Sequence, residues 1–254
     1  MTLPTPPLEG YWFDYPDQSP ALKRTGTQVT LANAVPPWMV VEQALSTITI
    51  GSHWPGKLWR VQVTVLGDMS GLVAKPGYWR AAALELLEEL PLSVLFGPHG
   101  VAVFDICSAI TSLSRAQAEA LASNVDEAAA SAYGRAWMQW AHSRGDKRSM
   151  HADEWCGTLA TSSGPDKQRS PIHSGFLLIH TLVWQRAKDI DGDDAFSQYE
   201  EDGETEVVLK PLWRDACNAM LYAAMAQGAP QCVSEADAAE LNRAWSGVFS
   251  SPAL

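Results

Sequence analysis

The chain has 254 residues, of which 46% are hydrophobic and 19% charged, and its formal net charge is −11. This composition excludes a disordered chain and suits one large domain or two small ones. The longest apolar run, FLLIHTLVW at residues 176–184, is too short for a bilayer, which needs about 20 apolar residues.

The N-terminal part of the sequence predicts strands. Residues 1–20 are rich in proline and aromatic residues and predict an irregular arm. Residues 21–110 contain β-branched or alternating runs, namely TQVTL, STITI, LWRVQVTVL, LSVLF and VAVFD. FGPHG at residues 96–100 predicts a hairpin between the last two runs. The segment KPGYWRAAALELLEELP predicts a single helix that begins near Pro76 and ends before Pro91.

Residues 111–254 predict helices. Ser114 and Gln117 form a capping-box pattern that opens an alanine-rich helical stretch reaching Gly145. Three further helices are predicted from PIHSGFLLIHTLVWQRAK, PLWRDACNAMLYAAMAQG and SEADAAELNRAW, the last capped by Ser234. Strands followed by helices indicate an α+β fold: a mainly antiparallel N-terminal sheet with one helix, then a helical half. The two parts form either separate domains or one domain with a shared core.

Negative charge is concentrated in residues 189–206, which contain nine acidic and no basic residues. The rest of the chain therefore has a net charge of only −2. Such a run is typical of a solvated loop or an interaction surface for a basic protein partner, and binding to nucleic acid or membrane is not expected. The residues predicted to contact the partner are Asp191, Asp193, Asp194, Glu201, Asp202 and Glu204.

The same segment also allows a calcium site. Carboxylates at Asp189, Asp191, Asp193 and Glu200 occupy positions one, three, five and twelve of a stretch that resembles an EF-hand loop. Position six, which is usually glycine, is Asp194. A possible Ca²⁺ is thus the one cofactor that the sequence suggests. The alternative is that these carboxylates simply stay hydrated.

A second group of chemically competent residues lies between the predicted helices. His151, Glu154, Cys156 and His173 are types that serve as zinc ligands or as acid and base catalysts. Their spacing matches no familiar zinc module, and the chain has no nucleophile elbow, phosphate-binding loop or dinucleotide fingerprint. They are the candidate catalytic residues if the protein is an enzyme.

Three functions are compatible with these patterns. The first is a non-catalytic, cytoplasmic and bacterial interaction protein, such as an inhibitor, an immunity protein or an adaptor, that holds a basic partner. The cytoplasm is expected because the N-terminus has no signal pattern and the four cysteines are scattered. Exposed tryptophans near Trp12, Trp38 and Trp54 are expected to help as anchors. The alternatives are a hydrolase with a metal or His/Glu/Cys site, and a calcium-binding module.

Overall fold

The computed structural model describes residues 7–15, 22–33, 38–48, 50, 54–68, 77–143, 171–201 and 203–249. For residues 46, 140–143, 171–176 and 201 the description is limited to the backbone. The described chain divides into two compact units, one extending to Leu95 and the other beginning at Phe96. The first is an antiparallel sheet and the second is mostly helical, which confirms the predicted α+β class.

The first unit is a six-stranded antiparallel sheet in the order β2-β3-β6-β4-β1-β5, with a further pairing of β5 to β6. The strands are β1 (Leu8–Asp14), β2 (Leu22–Thr25), β3 (Gln28–Leu31), β4 (Met39–Glu42), β5 (Lys57–Leu66) and β6 (Tyr78–Leu90). Because β1, β4, β5 and β6 each pair with two others of this group, these four strands form a closed ring. Closure removes most of the exposed sheet edge.

The sheet encloses an apolar core. Trp12 of β1 is 1% exposed and packs with residues of four other strands, which are Val29, Met39, Val41, Val61, Val63, Ala81 and Leu84. Gly10 permits the contact between β1 and β4, because a Cβ there would lie 2.5 Å from the carbonyl oxygen of Glu42. The first strand is therefore part of the core of this unit.

Four expectations for this half are wrong. The run STITI, predicted as a strand, begins within a 3-10 turn at Leu45–Thr47. The irregular arm contains a regular strand, β1, whose Trp12 is buried. Trp38 is buried as well, so neither of these indoles is an exposed anchor. The predicted helix of residues 76–90 is instead the 13-residue strand β6. Its Ala, Leu and Glu residues favour helix locally, but pairing with β3, β4 and β5 overrides that weak preference.

The predicted strands after β6 are also wrong. Leu92–Phe96 is a 3-10 turn, and helix α1 (Gly100–Thr111) replaces the strand VAVFD together with the hairpin before it. Val103, Ile106, Cys107 and Ile110 are buried in α1 at helical spacing. The apolar period continues past Asp105, so VAVFD was too short a window to distinguish a strand from a helix.

The second unit contains six described helices. They are α1, α2 (Arg115–Ala122), α3 (Glu127–Ser143), α4 (Pro171–Asp191), α5 (Pro211–Gly228) and α6 (Glu235–Phe249). The predicted capping box of Ser114 and Gln117 is confirmed, and Ser234 Oγ accepts the predicted hydrogen bond from the Asp237 amide at 3.1 Å. These local signals set the helix starts correctly.

Helix α5 lies at the centre of this unit. Twelve of its 18 residues are buried, and it packs against α1, α2, α3, α4 and α6. Alanine fills much of its surface, with Trp213 and Met220 as the largest fully buried side chains. Small residues all round let neighbouring helices approach closely, so α5 is a core helix.

Candidate interaction surface

The acidic segment forms a β-hairpin that joins α4 to α5. After α4 ends at Asp191, a 3-10 turn (Gly192–Ala195) leads into β7 (Phe196–Glu201) and β8 (Glu204–Leu209), which pair antiparallel. We call β7 and β8 the acidic hairpin. Gly203, with φ +81°, supplies the left-handed backbone that a two-residue turn requires.

The base of the acidic hairpin is fixed to the helices. The ring centroid of Phe196 lies 4.5 Å from that of Trp184 on α4. The Lys210 amide donates a hydrogen bond of 2.9 Å to the Ala195 carbonyl, which extends the ladder to the start of α5. The sequence prediction of a solvated loop or an interaction surface did not include this ribbon. A sequence signal for the hairpin was available, because Asp202-Gly203 stands between two strand-like runs, SQYE and TEVVL.

Asp191 is set apart from the other acidic residues because its carboxylate is used inside the protein. One oxygen accepts a hydrogen bond of 2.9 Å from Trp213 Nε1, and the other is ion-paired with Arg115. The Asp191 side chain is only 10% exposed. This predicted partner residue thus connects α4 with α2 and α5.

The remaining described carboxylates of the segment face solvent. Those with a described side chain are Asp189, Asp193, Asp194, Glu200, Glu204 and Glu206, and all are exposed. In the described part of the chain, no basic nitrogen lies within ion-pair distance of these six. Two other predicted residues are less defined, since Glu201 has only a described backbone and Asp202 lies outside the described residues. The exposed charge therefore has no described internal counter-ion.

The four residues proposed as calcium ligands are distributed over three consecutive elements. Asp189 and Asp191 belong to the end of α4, Asp193 to the 3-10 turn and Glu200 to β7. An EF-hand requires an outgoing helix after position twelve, but here the segment continues as a strand. No group of three or more His, Cys, Asp or Glu among the described residues is arranged to hold a metal. Calcium binding by these four residues is not tested by this arrangement and stays a prediction.

The catalytic candidates lie largely outside the described chain. His151, Glu154 and Cys156 are not among the described residues, and His173 has only a described backbone, in α4. The sequence hypothesis of a His/Glu/Cys site is therefore not tested.

The three described cysteines, Cys107, Cys217 and Cys232, are buried and form no disulfide bond with one another. Desolvation raises the pKa of Cys107 to about 12, and burial raises the pKa of Cys232. Cys217 Sγ lies 3.5 Å from His180 Nδ1, but this cysteine is only 1% exposed. A protonated or inaccessible thiol is a poor nucleophile, so these three cysteines serve packing.

Comparison with known proteins adds no relative: no protein-family model, curated protein or solved structure matches this chain. Among the described helices, none is both long enough and apolar enough to span a membrane.

Proposed function

We propose that this protein is a non-catalytic, cytoplasmic interaction protein, of the inhibitor, immunity or adaptor type, that binds a basic protein partner through the acidic hairpin. One observation carries the proposal. The carboxylates of Glu200, Glu204 and Glu206 are exposed on a regular β-ribbon, and no described cation neutralises them.

Electrostatics supports a cationic partner. Like charges on adjacent strands repel one another, and a partner that brings Lys or Arg side chains relieves this repulsion. Exposed charges act over about 10 Å at 0.1 M salt, so they accelerate encounter more than they add final affinity. The partner should therefore associate quickly at low salt and more slowly as salt rises.

The experiment is affinity capture of a basic protein from the native cell with a triple variant, Glu200→Gln, Glu204→Gln and Glu206→Gln. The matched control removes the same charge from the first unit by Glu9→Gln, Glu88→Gln and Glu89→Gln. These control carboxylates are exposed, but each already contacts Arg60 or Lys57. We expect the hairpin variant to lose the partner and the control to keep it. Equal capture by both variants would contradict the proposal.

A further inference from the structure

The acidic hairpin has two open edges. β7 and β8 pair only with each other among the described strands, so the outer side of each strand carries unpaired backbone groups. A strand edge of this kind is a template for an added strand from another chain.

The register identifies which backbone groups point outwards. The Lys210 amide donates to the Ala195 carbonyl, so residues 195 and 210 are a hydrogen-bonded pair. Hydrogen-bonded and non-hydrogen-bonded pairs alternate along an antiparallel ladder. The pairs Gln198–Val207 and Glu200–Thr205 are therefore non-hydrogen-bonded in the ladder. Thr205 and Val207 direct their N–H and C=O groups to the outer edge of β8.

The side chains of β8 alternate in chemistry as well as in direction. Glu204 and Glu206 share one face of the ribbon, and Thr205 and Val207 share the other. Val207 is 39% exposed, so its side chain is accessible to a partner. The other edge strand, β7, lacks this alternation of charged and uncharged side chains, because the uncharged Tyr199 is exposed opposite Glu206.

We propose that the β8 edge binds an extended basic segment of the partner as a third strand. In such a strand, Lys or Arg at alternate positions lie beside Glu204 and Glu206, and β-branched residues between them lie beside Thr205 and Val207. The charge of Glu204 and Glu206 favours basic residues in the partner strand. The alternation of charged and uncharged side chains along β8 sets the spacing of those basic residues. This inference rests on the proposed function and specifies its partner.

The test uses the full chain and a capped hexapeptide of alternating lysine and valine. The control peptide has the same composition with three lysines followed by three valines. We expect the alternating peptide to bind at least about tenfold more tightly, because only it matches the two faces of β8. Upon binding, the amides of Thr205 and Val207 should become protected from hydrogen exchange, whereas those of Gln198 and Glu200 should not.

Proline variants identify the edge. Val207→Pro removes an outward N–H without removing a ladder hydrogen bond of the hairpin, so we expect loss of the alternating peptide. Val207→Thr keeps the N–H and should bind within about twofold of the original protein, since threonine is also β-branched. Gln198→Pro removes the equivalent N–H from the β7 edge and should leave binding unchanged.

The outcomes separate this inference from the proposed function. Equal binding of both peptides, removed by Glu204→Gln with Glu206→Gln, would overturn strand addition while keeping the charge-based partner. Protection of Gln198 and Glu200 instead of the β8 amides would overturn the choice of edge. No binding of either peptide would overturn the inference even if cell capture depends on the hairpin. Self-association of the full chain that Val207→Pro abolishes would assign the β8 edge to a second copy and would overturn the inference too.

Discussion

Helix α5 and the acidic hairpin are adjacent in the sequence, yet they lie in opposite environments. In α5, 12 of 18 residues are buried, and the helix contacts every other described helix of its unit. In the hairpin, Tyr199 is 59% exposed and the described glutamates are all exposed. Packing thus determines the stability of α5, whereas the charged side chains of the acidic hairpin are accessible to solvent and to a partner.

This difference implies that stability and recognition can be changed separately. Burial and internal hydrogen bonds account for most large effects of substitution on stability, whereas exposed residues away from such contacts have small effects. Substitutions in and around α5 should therefore unfold the second unit without acting on the partner directly. Substitutions at the hairpin should remove the partner and leave the fold intact.

The largest effect is expected for Trp213→Ala. Trp213 is 1% exposed in α5, so its removal leaves a cavity and removes one of the two donors to the Asp191 carboxylate. Replacement of a buried tryptophan by alanine costs about 3–5 kcal/mol. Chemical denaturation followed by circular dichroism at 222 nm measures the loss.

Trp213→Phe is the control for this prediction. It retains most of the ring volume and removes the Nε1 donor, so we expect it to be clearly more stable than Trp213→Ala. Equal losses for both variants would show that the hydrogen bond, and not packing, dominates at this position. A loss below about 1 kcal/mol for Trp213→Ala would contradict the central role of α5.

The fold was predictable from the sequence where local signals and tertiary context agree. Ser114 and Ser234 begin their helices as predicted because a cap depends only on neighbouring backbone groups. The segment Tyr78–Leu90 was not predictable as a strand, since its partners β3 and β4 are tens of residues away. Pairing between distant strands supplies energy that a local pattern does not contain.

A second, smaller effect is expected for Asp191→Asn. The substitution removes the charge that pairs with Arg115 and weakens acceptance from Trp213 Nε1. Disturbing a partly buried hydrogen-bonded group costs about 1–3 kcal/mol. The free energy of unfolding should fall by that amount, as measured by urea titration.

Asp193→Asn is the matched control, because it makes the same chemical change at an exposed carboxylate two residues away. We expect its unfolding free energy to stay within about 0.5 kcal/mol of the original. If both variants lose the same stability, Asp191 has no special internal role.

The acidic surface was predictable in part. The run of nine carboxylates is visible in the sequence, and six of them are exposed as a local charge excess suggests. The internal use of Asp191 was not visible, because Arg115 lies 76 positions and Trp213 22 positions away. Only the packing of α2, α4 and α5 brings these three side chains together.

Acid should destabilise the helical unit through ion pairs that its helices make. The hydrogen bond from Arg135 lowers the pKa of Asp237, and the Ala129 amide together with Arg243 lowers the pKa of Asp126. A lowered folded-state pKa contributes stability above the unfolded value near 3.8. This contribution is lost as pH falls from about 4 through the folded pKa.

Urea midpoints measured between pH 7 and pH 2 test this expectation. Asp237→Asn should flatten the fall in the midpoint below about pH 4, since the substituted side chain does not titrate. Arg135→Gln should flatten it in the same way by removing the donor. If the urea midpoint of both variants falls below pH 4 as steeply as that of the original protein, these pairs do not contribute to acid unfolding.

The smallest effect on stability is expected where the effect on binding is greatest. Glu204→Gln with Glu206→Gln removes two exposed charges that contact no described cation, so the unfolding free energy should change by less than about 0.5 kcal/mol. Relief of repulsion between neighbouring carboxylates favours a small gain. The same protein should lose its basic partner, with the largest difference from the original at low salt. A stability loss above about 1 kcal/mol would mean that these carboxylates support the helices after all, and the separation between the buried helix and the exposed ribbon would fail.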